Sequence, residues 1–185
     1  MRIGLFVEDT VDEYFIRGLG QRWCPHLEIV PAHYRGATRQ TLAAQLPKAL
    51  LELFNHKQCE VVVYLTDANN DKWHDRRNNE LKKIPENRKA QVIMGIPVRN
   101  MECWLAADRQ AIARFLECRE EEIPTDDPSS FIDKRLGLHK ERLIGFVADL
   151  PSLHRLLEHP SFENFYARAR AAAKQNNCQI RDERQ

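Results

Sequence analysis

The sequence lacks the signatures of several common kinds of protein site. Its five cysteines are scattered and form no CxxC pair, so we predict reduced thiols rather than a zinc site or a disulfide framework. P-loop, GxGxxG and GxSxG motifs are absent. No apolar run reaches the length of a membrane span, and the N-terminus does not have the form of a signal peptide. We therefore expect a cytoplasmic protein without membrane association.

An excess of charge of either sign is also missing. The 185 residues include 28 Lys and Arg against 27 Asp and Glu, a formal net charge of +1. Any nucleic-acid contact must therefore come from a local basic patch or from a partner protein. The hydrophobic content of 43% is sufficient for the core of one domain.

Four short apolar runs alternate with helical patterns through the first two thirds of the chain. We predict strands over Arg2–Val7, Leu27–Val30, Val61–Leu65 and Gln91–Val98. Helical stripes follow each one, with an expected break or restart at Pro47 and a helix running from the 99–108 segment to about Leu116. This order predicts an α/β fold with a mainly parallel four-stranded sheet flanked by helices.

The composition changes after this α/β pattern. Residues 119–130 are acidic and contain two prolines, which is typical of a linker, and the patterns over 131–175 are all helical. We therefore predict an α/β domain over 1–118, a linker over 119–130, a helical extension over 131–175 packed on that domain, and a polar tail over 176–185.

Carboxylates follow three of the predicted strands. Glu8 and Asp67 end the first and third strands, Asn69 and Asp71 come shortly after Asp67, and Glu102 follows the fourth strand. If these side chains meet at one edge of the sheet, their repulsion must be offset by a cation or by raised pKa values, and oxygen ligands favour Mg²⁺ or Mn²⁺. Alternatively, the same residues form a turn and cap helices without binding anything.

Basic side chains near this edge are candidates for contact with a phosphate backbone. We predict that role for Arg35, Arg39, Arg76, Arg77, Lys82 and Lys83, with a solvated charged surface as the alternative. Trp73 and Trp104 are expected in the core or in a lid rather than as stacking platforms.

Three acidic motifs together resemble the TOPRIM fold. They are Val7-Glu8-Asp9, Asp67-Ala68-Asn69-Asn70-Asp71, and Glu102-Cys103-Trp104-Leu105-Ala106-Ala107-Asp108. The chain is most similar to small bacterial TOPRIM-like proteins that are often encoded beside ABC-type ATPases, and distantly similar to the TOPRIM part of OLD-family nucleases. Two positions depart from the pattern: Asn69 stands where an aspartate is usual, and Asp9 where a glycine is common.

The resemblance implies a Mg²⁺- or Mn²⁺-dependent nuclease subunit that acts on DNA in preference to RNA, with an ABC-type ATPase partner, in bacterial defence against phage. Glu8, Asp67, Asn69, Asp71 and Glu102 would hold metal. Glu8, Asp67, Glu102 and Lys140 would be catalytic, with Lys134 or Arg35 as alternatives to Lys140 for neutralising the leaving group.

Two other functions remain open on the sequence. Asn69 favours a degenerate TOPRIM subunit that binds nucleic acid or a nucleotide without cutting it. A receiver-like signalling domain would use Asp67 as phosphoacceptor, but Arg99-Asn100 after the fourth strand supplies no hydroxyl where such a domain needs one.

Overall fold

A parallel sheet forms the centre of the molecule. In the computed structural model, which describes residues 1–24, 26–33, 39–69, 71–176 and 178, the strands are β1 (Arg2–Phe6), β2 (Glu28–Pro31), β3 (Val61–Leu65) and β4 (Val92–Gly95). Their order across the sheet is β2-β1-β3-β4, and every neighbouring pair is parallel. The predicted α/β class and parallel sheet are confirmed, and β3 has the predicted bounds.

Helices connect the strands and continue after the last one. They are α1 (Thr10–Trp23), α2 (Arg39–Leu51), α3 (Trp73–Leu81), α4 (Met101–Leu105), α5 (Arg109–Phe115), α6 (Ser129–Leu136), α7 (Arg142–Asp149), α8 (His154–Leu157) and α9 (Pro160–Gln175). Short turns of 3₁₀-helix occur at Glu86–Gln91 and Glu120–Glu122. None of the helices in the described ranges is long and apolar enough to cross a membrane.

Alternating residues of the strands belong to two hydrophobic layers. Val61, Val63 and Leu65 of β3 pack with α1 and the helices from α4 onward, whereas Val62 and Tyr64 pack with α2. This alternation follows from the period of two along a strand. The helices of the predicted extension thus bury their apolar faces against the same sheet as α1.

Two helix predictions were wrong. Pro47 does not break its helix: α2 continues through it and ends in a π-helical turn over Glu52–His56. Pro47 is exposed, so the Ala43 carbonyl that loses its usual donor lies near solvent, while Leu42 and Leu46 hold the helix in the core. The helix predicted to reach Leu116 is divided, because the Asp108 side chain accepts from the Ala111 amide at 2.9 Å and begins α5.

The prediction of reduced thiols was wrong for one pair of cysteines. Cys24, at the end of α1, forms a disulfide with Cys178, just beyond α9, across a sequence separation of 154 residues. Sequence spacing did not indicate this pair, because the two cysteines are far apart along the chain. They meet because α1 and α9 pack on the same face of the sheet, which brings their ends together. Within the described residues, Cys59, Cys103 and Cys118 are free thiols.

Candidate metal site

The strand order brings the ends of β1 and β3 to a position where ligands bind in many α/β folds. The chain leaves β1 toward β2 on one side and then returns to β3 on the other, so the crossovers diverge between β1 and β3. A crevice forms at the carboxyl ends of two such strands, because the connecting segments leave in opposite directions. Glu8 follows β1 and Asp67 follows β3, so both predicted residues lie beside this switch point.

The Glu8 carboxylate is fixed in position by groups that follow β3. Its Oε1 accepts a hydrogen bond from the Thr66 hydroxyl at 2.6 Å and another from the Asp67 amide at 3.1 Å. Thr66 is buried, so this contact is shielded from water. Both bonds use the same oxygen, which leaves Oε2 of Glu8 outside them and available for a ligand. Sequence reasoning missed Thr66, although it is the first polar residue after the buried strand.

Asp12, in the first turn of α1, is a second residue at this edge that sequence reasoning did not identify. Its Oδ2 accepts from the amides of Glu8 and Asp9 at 3.1 and 3.3 Å, and Asp9 in turn caps the first turn of α1. The spacing of Asp9 and Asp12 is that of a capping box, and this pattern is the sequence signal that could have identified Asp12. Burial raises the pKa of Asp12 well above its usual value, and the charges of Asp9, Asp67 and Glu102 raise it further.

Glu102 reaches the same region from α4. Asn100 begins this helix by accepting from the Cys103 amide at 3.2 Å, and its amide group donates to Asp127 at 3.0 Å. Glu102 is only 7% exposed. Burial raises its pKa to about 7, with further contributions from the charge of Asp9 and of two other aspartates. Glu8, Asp9, Asp12, Asp67 and Glu102 are together called the acidic edge below.

Lys140 lies between α6 and α7 and faces the acidic edge. Its ammonium group pairs with Asp133 of α6, and this hydrogen bond raises its pKa. The charges of Asp9 and Glu102 act in the same direction, which places the cation near both carboxylates. The structure therefore brings Lys140 to the predicted site from a distant part of the sequence. Lys134, the alternative, is exposed on α6.

Asn69 and Asp71 belong to a turn after β3. Asn69 has a left-handed backbone conformation (φ 53°), and its amide donates to the Arg99 carbonyl at 3.2 Å. The Asp71 amide donates to the Ala68 carbonyl at 3.0 Å, and both side chains are exposed. Asparagine tolerates this conformation better than most residues, so the backbone alone explains why an asparagine stands at position 69, without any metal.

The predicted basic residues are divided between several environments. Arg76 and Lys83 both pair with Glu80, which is fully buried and also accepts from the Tyr64 hydroxyl. Lys82 donates to Asn79, and Arg77 is half-buried on α3. Arg35 and the side chain of Arg39 lie outside the described residues. The pairing of Arg76 and Lys83 gives them a structural role in holding α3 on the sheet.

Trp104 belongs to the core, as predicted. Its indole is fully buried and donates to the Ser161 hydroxyl of α9 at 2.9 Å. Its ring lies within 5.1 Å of Phe162 and 5.7 Å of Phe165, measured between centroids. This contact fixes α4, and with it Glu102, against the C-terminal helix.

The donor set of the acidic edge suits Mg²⁺ or Mn²⁺. Across the ranges that the structure describes, no three His, Cys, Asp or Glu side chains are arranged closely enough to hold a metal ion by themselves. Mg²⁺ commonly keeps several waters and uses only one or two carboxylates together with substrate phosphates. Glu8 and Asp67 supply such a pair. The negative charges of Asp9, Asp67 and Glu102 raise the pKa of Asp12, and a bound cation would relieve this repulsion.

Comparisons with known proteins add no name to this geometry. A scan of family models, a search of curated proteins and a search of solved structures each found no match to the chain.

Proposed function

We propose that the chain is a Mg²⁺- or Mn²⁺-dependent phosphodiester-cleaving subunit. The observation that carries this proposal is the anchoring of Glu8 beside Asp67 at the switch point of a parallel sheet. The buried acid Glu102 and the cation of Lys140 lie near the same place. An anchored carboxylate with a second one next to it, a carboxyl that titrates near neutral pH and a lysine are groups that metal-assisted phosphoryl chemistry uses.

In this proposal Glu8 and Asp67 hold the metal, with Asn69 and Asp71 close enough in sequence to add oxygen ligands on the solvent side. The metal would lower the pKa of a bound water and stabilise charge on the scissile phosphate. Thr66 orients the Glu8 carboxylate through Oε1 and leaves Oε2 outside this hydrogen bond. Asp12 holds the loop between β1 and α1 through two backbone amides.

Glu102 is the proton acceptor in this proposal. A general base works best when its pKa lies near the operating pH, and burial brings the pKa of Glu102 to about 7. Lys140, whose pKa the charge of Glu102 raises, would neutralise charge on the leaving oxygen or on a neighbouring phosphate. Both groups come from segments that follow the sheet, and α9 holds Glu102 in place through Trp104.

The substrate and partner follow from the resemblance and from the charge balance. With a formal net charge of +1, the chain has no general attraction for a polyanion. We therefore propose that an ABC-type ATPase partner supplies much of the grip on nucleic acid, with DNA as the preferred substrate, in defence against phage. Arg77 and Lys82 remain candidate phosphate contacts, since Glu80 pairs with their neighbours Arg76 and Lys83.

The test is cleavage of plasmid DNA and of RNA with Mg²⁺ or Mn²⁺, with and without the ATPase partner. We expect cleavage that falls about 10²-fold or more in Glu8→Gln and in Asp67→Asn. Asp149→Asn, an exposed carboxylate on α7, is the matched control and should keep full activity. Cleavage that survives both substitutions at the acidic edge would show that this site is not catalytic.

Thr66 provides a more selective variant. Thr66→Val removes the hydroxyl that holds Glu8, whereas Thr66→Ser keeps it at nearly the same position. We expect Thr66→Val to weaken Mn²⁺ binding by about 10- to 100-fold, as for other groups that orient a ligand, and Thr66→Ser to bind nearly as the parent does. Equal Mn²⁺ affinity in the two variants would contradict the orienting role of Thr66.

A binding subunit without nuclease activity is the second candidate. It is favoured by Asn69 in place of an aspartate and by the lack, among the described side chains, of a group of three ligands. Calorimetric titration with Mn²⁺ separates the two functions, because a degenerate site should give no saturable heat while a catalytic one should. The same protein samples used for cleavage serve for this measurement.

A further inference from the structure

A second cleft is lined in part by residues of α4. It has a volume of about 480 Å³ and is bounded by the end of β4, by α4, by the 124–128 segment and by the start of α9. This volume lies within the range of small-molecule sites in proteins. The cleft has no part in the proposed metal chemistry, although the helix that carries Glu102 forms its wall.

The floor of the cleft is apolar and partly open to solvent. Val98, one of the few large hydrophobic residues left exposed in the described ranges, is 42% exposed on this floor. Ala106, Ala107 and Pro128 extend the same surface. The Cys103 thiol adds no charge, because burial raises its pKa. Small side chains and an exposed valine leave apolar surface that a nucleobase ring can cover.

Cationic groups stand at the rim of this floor. Arg99 donates one bond, to the Asp126 carbonyl at 2.8 Å, and Arg109 donates to the carbonyls of Glu120 and Ile123. Neither guanidinium has a carboxylate partner in the part of the chain that the structure describes. Arg99 is exposed, so most of its donors remain directed at solvent. Guanidinium groups without a carboxylate are well suited to bind phosphate.

The remaining polar groups suit hydrogen bonding rather than a second charge. The Asp127 carboxylate is already occupied by the Ser129 amide and hydroxyl and by Asn100. Thr125 and Asp126 line the cleft with exposed side chains, and His159 faces it from the start of α9. The Thr125 hydroxyl and the Asp126 carboxylate can form hydrogen bonds with the amino and hydroxyl groups of a nucleobase and a ribose.

We propose that this cleft binds a nucleoside monophosphate, with the base on the Val98 floor and the phosphate at Arg99. An apolar floor alone would suit many ligands, and arginine alone would suit any phosphate. Their combination with hydrogen-bonding groups at a cleft of this volume selects a molecule that has a ring, hydroxyls and a single phosphate. The proposal does not depend on metal or on nuclease activity.

The experiment is equilibrium binding of AMP, GMP, CMP and UMP to the full chain in EDTA, with adenosine and inorganic phosphate as probes of the two halves. EDTA keeps the acidic edge free of metal, so the result is independent of the proposed function. We expect at least one nucleotide to bind with a dissociation constant of about 1 mM or below. Adenosine and phosphate should each bind about tenfold or more weakly than that nucleotide.

Variants distinguish this cleft from other places. Arg99→Gln should weaken nucleotide binding about tenfold, because it removes a charge-assisted contact to the phosphate. Since Arg99 pairs with no carboxylate among the described residues, the substitution leaves no carboxylate unpaired. Val98→Asp should abolish binding, and its circular dichroism and thermal midpoint show whether it is folded. Arg114→Gln, an exposed arginine on α5 away from the cleft, is the matched control. Absence of saturable binding by all four nucleotides, or unchanged binding in Arg99→Gln, would overturn the proposal.

Discussion

At the scale of single residues, the acidic edge is marked by carboxyls that are buried without a cation to compensate them. Asp12 and Glu102 are each less than a tenth exposed, and burial raises the pKa of both. Buried carboxyls usually have a basic partner, since burial of an unpaired charge is costly. The charge of Glu102 raises the pKa of Lys140, and this lysine is itself paired with Asp133.

This burial predicts a pH dependence of stability. The pKa of Glu102 is about 7 in the folded protein against an ordinary 4.5, so the folded state binds more protons than the unfolded state between these values. The free energy of unfolding therefore decreases as pH rises through this window, and the loss is complete above pH 7. The 2.5-unit difference between the two cited pKa values corresponds to roughly 3 kcal/mol.

Glu102→Gln tests this expectation by keeping the shape and removing the charge. We expect the variant to gain up to roughly 3 kcal/mol over the parent at about pH 8, and less at about pH 5. Urea unfolding at the two pH values in EDTA measures the difference. Glu86→Gln, at an exposed position paired only with Lys89, should show no such dependence. A pH-independent difference between Glu102→Gln and the parent would contradict the raised pKa.

At the scale of elements, α1 and α7 pack closely against each other. Gly18 of α1 lies under α7, where an added Cβ would be 2.6 Å from the Val147 Cβ and 2.7 Å from the Ile144 carbonyl oxygen. The second contact is with backbone and cannot be relieved by a side-chain rotation. Glycine at this position therefore sets the distance between the two helices.

Gly18→Ala should accordingly destabilise the protein by about 2 kcal/mol or more, since α7 must move away from α1. Gly145→Ala on α7 is the matched control, because nothing lies within 4 Å of its added Cβ. That variant should be stabilised by about 0.5–1 kcal/mol through helix propensity alone. Thermal unfolding of both proteins measures the contrast, and equal effects of the two substitutions would show that α1 and α7 are not in tight contact.

The sequence predicted elements better than it predicted their contacts. The apolar runs identified the four strands because a buried strand consists mostly of apolar residues, as at Val61–Leu65. Glu8 and Asp67 were found because each follows such a run. Thr66 and Asp12 were not found, because their roles depend on which elements pack together, and Lys140 was named through the resemblance alone. That information is spread over residues far apart in the chain, as with Gly18 and Val147.

At the scale of the whole molecule, the Cys24–Cys178 disulfide joins the end of α1 to the segment after α9. A crosslink across 154 residues restricts the unfolded chain far more than the folded one. Next to the disulfide, Trp23 packs against Tyr166 of α9, with 5.4 Å between the ring centroids. The bond thus reinforces a contact that the core already makes.

Cys178→Ser should therefore lower the free energy of unfolding by roughly 2–4 kcal/mol under oxidising conditions. The thermal midpoint should fall by about 5–15 °C for a chain of this size. Treatment of the parent protein with a dithiol should reproduce the loss, while it leaves Cys178→Ser unchanged. Cys118→Ser, which removes a free thiol, serves as the control. A parent whose midpoint does not respond to the dithiol would show that the bond does not stabilise the fold.

The packing of α1 against α7 also has a consequence for synthesis on the ribosome. α1 leaves the exit tunnel well before α7, because α7 is made more than a hundred residues later. Until then the apolar stripe of α1 and one face of the sheet have no cover from the same chain. We expect cooperative folding to occur only after α9 has emerged, so the nascent chain depends on chaperones or on rapid translation to avoid aggregation.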